Sequence, residues 1–273
     1  MARIPSLSDS TRKLLQGAGL GQGADYRPWL DARTTPTRGV ASQTLGIKTG
    51  RVHHGLSTNE KNFFYIIEFD PSVIDIREQF PLFPQNLVMR LADGLGIKYP
   101  IIPKSKIPCV ITTDFLITYS RNGKKEYAAF SVKPKSGLKT KRDFEKQELE
   151  RVWWESLGVP WKIFINDEQD SIVAGNIRWL SHPLRDGSYR HHNVLASVLQ
   201  HLSPGVYQLD YLFSSLAQQL KLPESEIGEI FRILAWNHLV DIELGTSIHE
   251  SGIINILSTA RDYLKEGLYG TFD

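Results

Sequence analysis

The dipeptide Asn122-Gly123 constrains this chain more than any other feature, because it stands between two β-rich runs, Val110–Ser120 and Lys125–Lys133. A two-residue loop of this composition favours a tight hairpin turn whose twist matches the strands on either side. Such a turn leaves no freedom of register. Arg121 then faces Lys124 and, counting back along both strands, Asp114 faces Ser131. Opposed residues project to one face of a sheet, so Asp114, Ser131 and, two residues on, Lys133 share a face. Residues 140–157 read as a helix that Gly158 ends, and Trp161–Ile165 as a further strand. A helix crossing between two strands of one sheet makes the pair parallel, so the hairpin belongs to a mixed α/β sheet.

Upstream, Ser57-Thr-Asn-Glu60 has the spacing of a capping box and leads into Phe63, Phe64, Ile66 and Ile67. Ser72–Glu78 alternates as a strand, and a long proline-containing connection is expected over 80–109. Residues 1–50 are rich in Gly, Thr, Ser and Arg without periodicity and read as an arm or irregular cap. The glycines at 19 and 21 follow no strand and carry no dinucleotide fingerprint. Residues 167–190 are polar apart from Ile177–Leu180 and read as a linker. Beyond them, 191–202, 208–220 and 224–238 read as helices, and Leu239–Leu244 as a strand turning through Gly245. Two short helices parted by Leu222-Pro223 and followed by a β-turn-β resemble a winged helix-turn-helix.

Charge divides along the chain. Residues 1–170 carry 25 Lys and Arg against 19 Asp and Glu, whereas residues 171–273 carry 7 against 11. The basic half favours polyanionic partners. The lone cysteine, Cys109, excludes an intramolecular disulfide and a cysteine-built metal cluster. The longest purely apolar run, Phe63–Ile67, is far too short to span a membrane, and residues 1–23 hold no apolar signal core, so a cytoplasmic protein is expected.

An acid and a lysine on one sheet face suit phosphodiester hydrolysis. A carboxylate can hold Mg²⁺, which polarises a phosphoryl oxygen, and a lysine can orient water or offset developing charge. One acid holds Mg²⁺ poorly, so further oxygen ligands should converge; Glu60 at a helix start and Glu150 or Glu148 on the following helix are the carboxylates to hand. Each has a plainer role available. Glu60 can be the capping acid, Lys133 a solvated edge residue, and Glu145, Glu148 and Glu150 members of i,i+4 pairs with Lys141, Arg142, Lys146 and Arg151. The adjacent pairs His53-His54 and His191-His192 cannot comfortably share a metal and read as surface residues, while Arg51, His53 and His54 beside Glu60 read equally as phosphate contacts or an ordinary basic loop. Trp153, Trp154 and Trp161 read as core.

Gly50-Arg-Val-His-His54, Leu56-Ser57 with Glu60, Ser72-Val-Ile-Asp-Ile-Arg-Glu-Gln-Phe-Pro-Leu82, Thr113-Asp114-Phe-Leu116, Val132-Lys133-Pro134 and Leu149-Glu150-Arg151 with Trp154 together resemble the TnsA family, the endonuclease subunits of heteromeric cut-and-paste transposases. The similarity runs from about residue 21 to 180 and fades in the tail. It implies a restriction-endonuclease-like core, a mixed sheet flanked by helices, followed by a C-terminal helical winged-helix-like domain. The resulting division is an N-terminal arm over 1–50, an endonuclease catalytic domain over 51–168 and a partner-binding domain over 169–273. The resemblance also implies Mg²⁺-dependent cutting of double-stranded DNA at the 5′ ends of a transposon. A TnsB-type transposase would handle the 3′ ends and a TnsC-type ATPase would regulate both. The family's catalytic residues fall on Glu60, Asp114 and Lys133, with Glu60, Asp114, Ser131 and the Val132 carbonyl as metal ligands. Ser131 departs from the acid or glutamine usual there, and serine is a weaker ligand. The acids Glu224, Glu226 and Glu229 on the 224–238 helix would be repelled by a phosphate-lined groove, so this domain is expected to bind protein, with the ATPase as partner. A stand-alone restriction or junction-resolving nuclease, or a catalytically silent scaffold derived from one, are the other readings.

Overall fold

A computed structural model describes residues 9–33, 40–102, 106–187 and 194–261, which fall into two compact units divided between Asp167 and Glu168. The first opens with α1 (Asp9–Leu15), a 3-10 turn at Gly23–Asp25 and the antiparallel hairpin of β1 (Ser42–Leu45) and β2 (Val52–Gly55). Then come α2 (Thr58–Phe69), β3 (Val73–Pro81), α3 (Gln85–Gly94), β4 (Thr112–Arg121), β5 (Lys124–Pro134), α4 (Lys141–Ser156) and β6 (Trp161–Asn166). The sheet order is β3-β4-β5-β6, antiparallel except for the β5–β6 pair that α4 bridges, so the sheet is mixed as its crossover requires.

Both faces of this sheet are covered. Phe63 of α2 sits over Phe115, Phe130 and Phe164, ring centroids 5.1, 5.1 and 4.9 Å away, and so spans three strands. The opposite face packs Leu116 and Ala129 against Leu149, Trp153 and Trp154 of α4 and against Val88 and Ala92 of α3. These tryptophans are core, as their sequence context suggests. The stretch read as an arm or cap contributes Tyr26 and Trp29 to the buried residues, with the Tyr26 hydroxyl donating to the Glu78 carbonyl.

Two expectations fail here. The connection 80–109 contains α3, whose apolar positions Val88, Leu91 and Ala92 recur at helical spacing; flanking prolines and glycines disguise a genuine amphipathic segment. The supposed linker 167–190 is, as far as Arg185, the helix α5 (Glu168–Arg185), with Ala174, Ile177, Leu180 and Ser181 on its buried side. A single narrow apolar stripe reads as polar by composition while still anchoring a helix.

The second unit continues with α6 (Leu195–His201), β7 (Gly205–Gln208), α7 (Leu209–Leu220), α8 (Glu224–Trp236), β8 (Val240–Ile242), α9 (Ile248–Ser251) and β9 (Ile253–Thr259). Its sheet has the order β7-β9-β8 and is antiparallel throughout. Helix α8 is its core, burying Ile227, Ile230, Phe231 and Leu234 against α5, α6 and α7. Buried Asn176 of α5 donates to the Leu244 and Thr246 carbonyls and accepts from Ile248 N–H, which ties down the turn after β8. Residues 191–193, expected to begin a helix, lie outside the described residues. No helix among the described residues is long and apolar enough to cross a membrane.

Candidate active site

The register of β4 and β5 is the one the two-residue turn demands: Arg121 pairs with Lys124 and Phe115 with Phe130, with φ +50° at Asn122 and +71° at Gly123. One step further, Asp114 meets the end of β5. Its Oδ2 accepts from Val132 N–H at 2.7 Å, Lys133 Nζ at 3.0 Å and Ser131 Oγ at 3.3 Å. Its Oδ1 takes none of these three. Lys133 Nζ also donates to the Val132 carbonyl at 3.2 Å. Burial works against the charge of Lys133, but Asp114 and then Glu150 overcome it and hold the ammonium above its ordinary range. At neutral pH Lys133 is therefore a fixed cation and hydrogen-bond donor, not a base.

Glu60 arrives from the start of α2. Ser57 Oγ accepts from Glu60 N–H at 3.2 Å, and the Glu60 carboxylate accepts from Ser57 Oγ at 2.9 Å and Leu56 N–H at 3.1 Å. Glu60 thus takes part in the cap of α2, and Phe63, one helical turn on, anchors this end of α2 to the sheet. Glu150 comes from α4 on the opposite face, buried, with Trp161 Nε1 donating to it at 3.0 Å. Its neighbours Glu145 and Glu148 instead pair with Arg142 and Arg151 on the helix surface. Burial first, and the charge of Asp114 second, push both Glu60 and Glu150 well above the usual carboxylate range.

Asp114 occupies a break in strand alternation. In a regular strand Glu78 and Phe80 would share a face. Here Glu78 lies with Arg51 and His53, whereas Phe80 packs against Trp154 on the α4 side, ring centroids 5.6 Å apart and tilted by 41°. β4 does the same: Phe115 faces α2, while Thr113 Oγ1 accepts from Trp154 Nε1 at 2.5 Å. The switch falls at Gln79 in β3, with φ +48°, and at Asp114 in β4. In the sequence Gln79 stands just past the strand expected over Ser72–Glu78, within the Ser72–Leu82 motif and with no role of its own; β3 in fact runs on to Pro81. Gln79 is buried, its Nε2 donates to Glu60 Oε2 at 3.1 Å, and its Oε1 accepts from Thr112 Oγ1 at 3.0 Å.

The donors around Asp114 are all oxygen: three carboxylates, the Val132 carbonyl and the Ser131 hydroxyl. That set fits a small hard divalent cation such as Mg²⁺. Asp114 is paired with Lys133, while burial and the charge of Asp114 disfavour the ionised forms of Glu60 and Glu150, a cost that a divalent cation held there would offset. Among the described residues no three acidic, histidine or cysteine side chains form a ready-made cage. Glu60 and Glu150 feel Asp114 through charge, not through a shared hydrogen bond.

A second buried acid has a different setting. Arg51 clamps Glu78 with Nη1 on Oε1 at 2.7 Å and Nη2 on Oε2 at 2.6 Å; His53 Nδ1 lies 2.8 Å from Oε2, and His54 N–H donates to Oε1 at 3.1 Å. Arg51 and His53 are therefore neither a phosphate loop nor surface residues, because Glu78 draws them inward. His191 and His192 lie outside the described residues. Burial alone would raise Glu78, but His53 and Arg51 outweigh it and hold its carboxyl well below the usual range.

Residues 70–166, which include Asp114, Lys133 and Glu150, match a family described as TnsA-like endonuclease N terminal. Over 261 residues the chain is 36% identical to the Transposon Tn7 transposition protein TnsA of Escherichia coli, an alignment covering 96% of this chain and 86% of that protein.

Proposed function

The chain belongs to the TnsA-like endonuclease family, and from that premise we propose that it cuts the 5′ strands of double-stranded DNA at transposon ends, in the cytoplasm, with Mg²⁺ as its metal. The observation that carries this reading is the Asp114–Lys133 pair at 3.0 Å, on neighbouring strands, flanked by the buried acids Glu60 and Glu150. Glu60, Asp114 and the Val132 carbonyl would hold the cation, with Ser131 and Glu150 in reserve. Bound there, Mg²⁺ supplies Lewis-acid polarisation of the scissile phosphate and lowers the pKa of water. The side chains do the rest. Asp114 Oδ2 fixes Lys133, whose cationic Nζ can donate to the attacking water or to charge growing on the phosphoryl oxygens. Ser57 Oγ and Leu56 N–H hold the Glu60 carboxylate at the helix start, so its geometry is set before DNA arrives.

A TnsB-type transposase acting on the 3′ strands and a TnsC-type ATPase complete the proposed machinery. We assign the ATPase to the second unit and read that unit as winged-helix-like. Its order from α6 through α7 and α8 to a three-stranded antiparallel sheet supports that reading, and Glu224, Glu226 and Glu229 of α8 favour a protein partner over a phosphate backbone. The test is nicking of a transposon-end duplex in the presence of the cognate transposase and ATPase. Mg²⁺ should be required, and Lys133→Met should abolish the cut while duplex binding survives. Full cutting by Lys133→Met, or in EDTA, contradicts the reading.

A further inference from the structure

Gln79 has an awkward backbone for what it is. A non-glycine residue at φ +48° inside a strand sits in the left-handed region, which is costly for an L-residue. Glycine would meet the demand of the backbone without that cost. What glycine could not supply is the side chain, which is 2% exposed and fully engaged. A carboxylate can only accept, so the amide NH₂ faces Glu60 Oε2; the Thr112 hydroxyl, donating, faces the amide oxygen. The backbone is held as well, since Trp29 N–H donates to the Gln79 carbonyl at 3.2 Å. The left-handed turn also produces the face switch between Glu78 and Phe80. It sends the Gln79 side chain to the start of α2 from a position beside Asp114.

We propose that Gln79 is a positioning residue: its carboxamide fixes the Glu60 carboxylate relative to Asp114, linking the start of α2 to the start of β4. This inference rests on the endonuclease reading above. It assigns Gln79 no contact with DNA; it acts through Glu60 alone. A hydrogen bond to a charged acceptor is worth roughly a tenfold change in an equilibrium. That sets the size of the effect expected.

The experiment uses the full chain and Mn²⁺ as the probe, with binding followed by the electron paramagnetic resonance signal of free Mn²⁺ and stability followed by thermal unfolding. Gln79→Gly removes the amide but suits the backbone. It should still fold, with backbone relief offsetting part of the lost side-chain contacts, and yet bind Mn²⁺ about tenfold more weakly. Gln79→Met keeps the bulk of the side chain and should weaken binding similarly, which preserves the test if the glycine variant folds poorly. In a Glu60→Gln background, Gln79→Gly should change Mn²⁺ affinity no further, as a residue acting only through Glu60 requires. Wild-type Mn²⁺ affinity in both Gln79 variants, or an undiminished effect in the Glu60→Gln background, overturns the proposal. Asp114→Asn separates the two layers. If it binds Mn²⁺ and nicks DNA like wild type, the site reading itself fails and the proposal goes with it; if it loses both while the Gln79 variants lose neither, only the positioning role is refuted.

Discussion

Two sets of buried or half-buried carboxylates lie within one unit, and they are built in opposite ways. Glu78 is matched: Arg51 grips both its oxygens, His53 and the His54 backbone add to them, and its proton affinity is driven down. Glu60, Asp114 and Glu150 are not matched. Of the three acids Lys133 hydrogen-bonds Asp114 alone, and the two glutamates are left with raised proton affinity. A charge whose neighbours neutralise it can pin a fold, here holding the β1–β2 hairpin to β3. Charges whose neighbours do not neutralise them raise the energy of the folded chain, and under the proposed function a bound cation would offset that cost. The boundary between these two regimes is one residue wide, from Glu78 to Gln79.

The largest effect should come from unmatching the matched cluster. Arg51→Met strands the Glu78 carboxylate in the interior and should cost about 3–5 kcal/mol, read from urea unfolding; a loss near zero would mean that Glu78 is held by other means. Acid should do the same more gradually. Because the folded pKa of Glu78 lies below its unfolded value of about 4.3, its contribution is complete above that pH and drains away as pH falls toward the folded value. Stability at fixed temperature should therefore fall below about pH 5, and Glu78→Gln should flatten that fall. The smallest effect has the opposite sign. Glu150→Gln replaces an unmatched acid with a neutral near-isostere and should raise metal-free stability by about 1 kcal/mol, while weakening DNA nicking. Destabilisation by Glu150→Gln would place Glu150 with the matched group.

How far the sequence reaches follows from the same contrast. Register was legible because a two-residue turn admits one pairing, so Asp114, Ser131 and Lys133 could be brought together by counting. Glu60 was legible through its capping spacing. Helices α3 and α5 were not, because prolines obscured one and a polar composition obscured the other. Nothing in the residues announces that Gln79 takes a positive φ, since that conformation is imposed by the strand's change of face. His53 was misread for a related reason: a histidine beside basic residues reads as surface until the buried acid that draws it inward, 25 positions on and beyond helix α2, is known.

The central claim is that Asp114 is the acid of a nuclease and not a structural partner for Lys133. The most direct test is strand-resolved cleavage of a transposon-end duplex with Mg²⁺, the transposase and the ATPase, comparing wild type with Asp114→Asn, whose folding is checked by thermal unfolding. Loss of the 5′-strand cut alone, in a protein that melts within a few degrees of wild type, is the predicted result. Undiminished 5′ cutting by a folded Asp114→Asn would contradict the account and move the chemistry elsewhere.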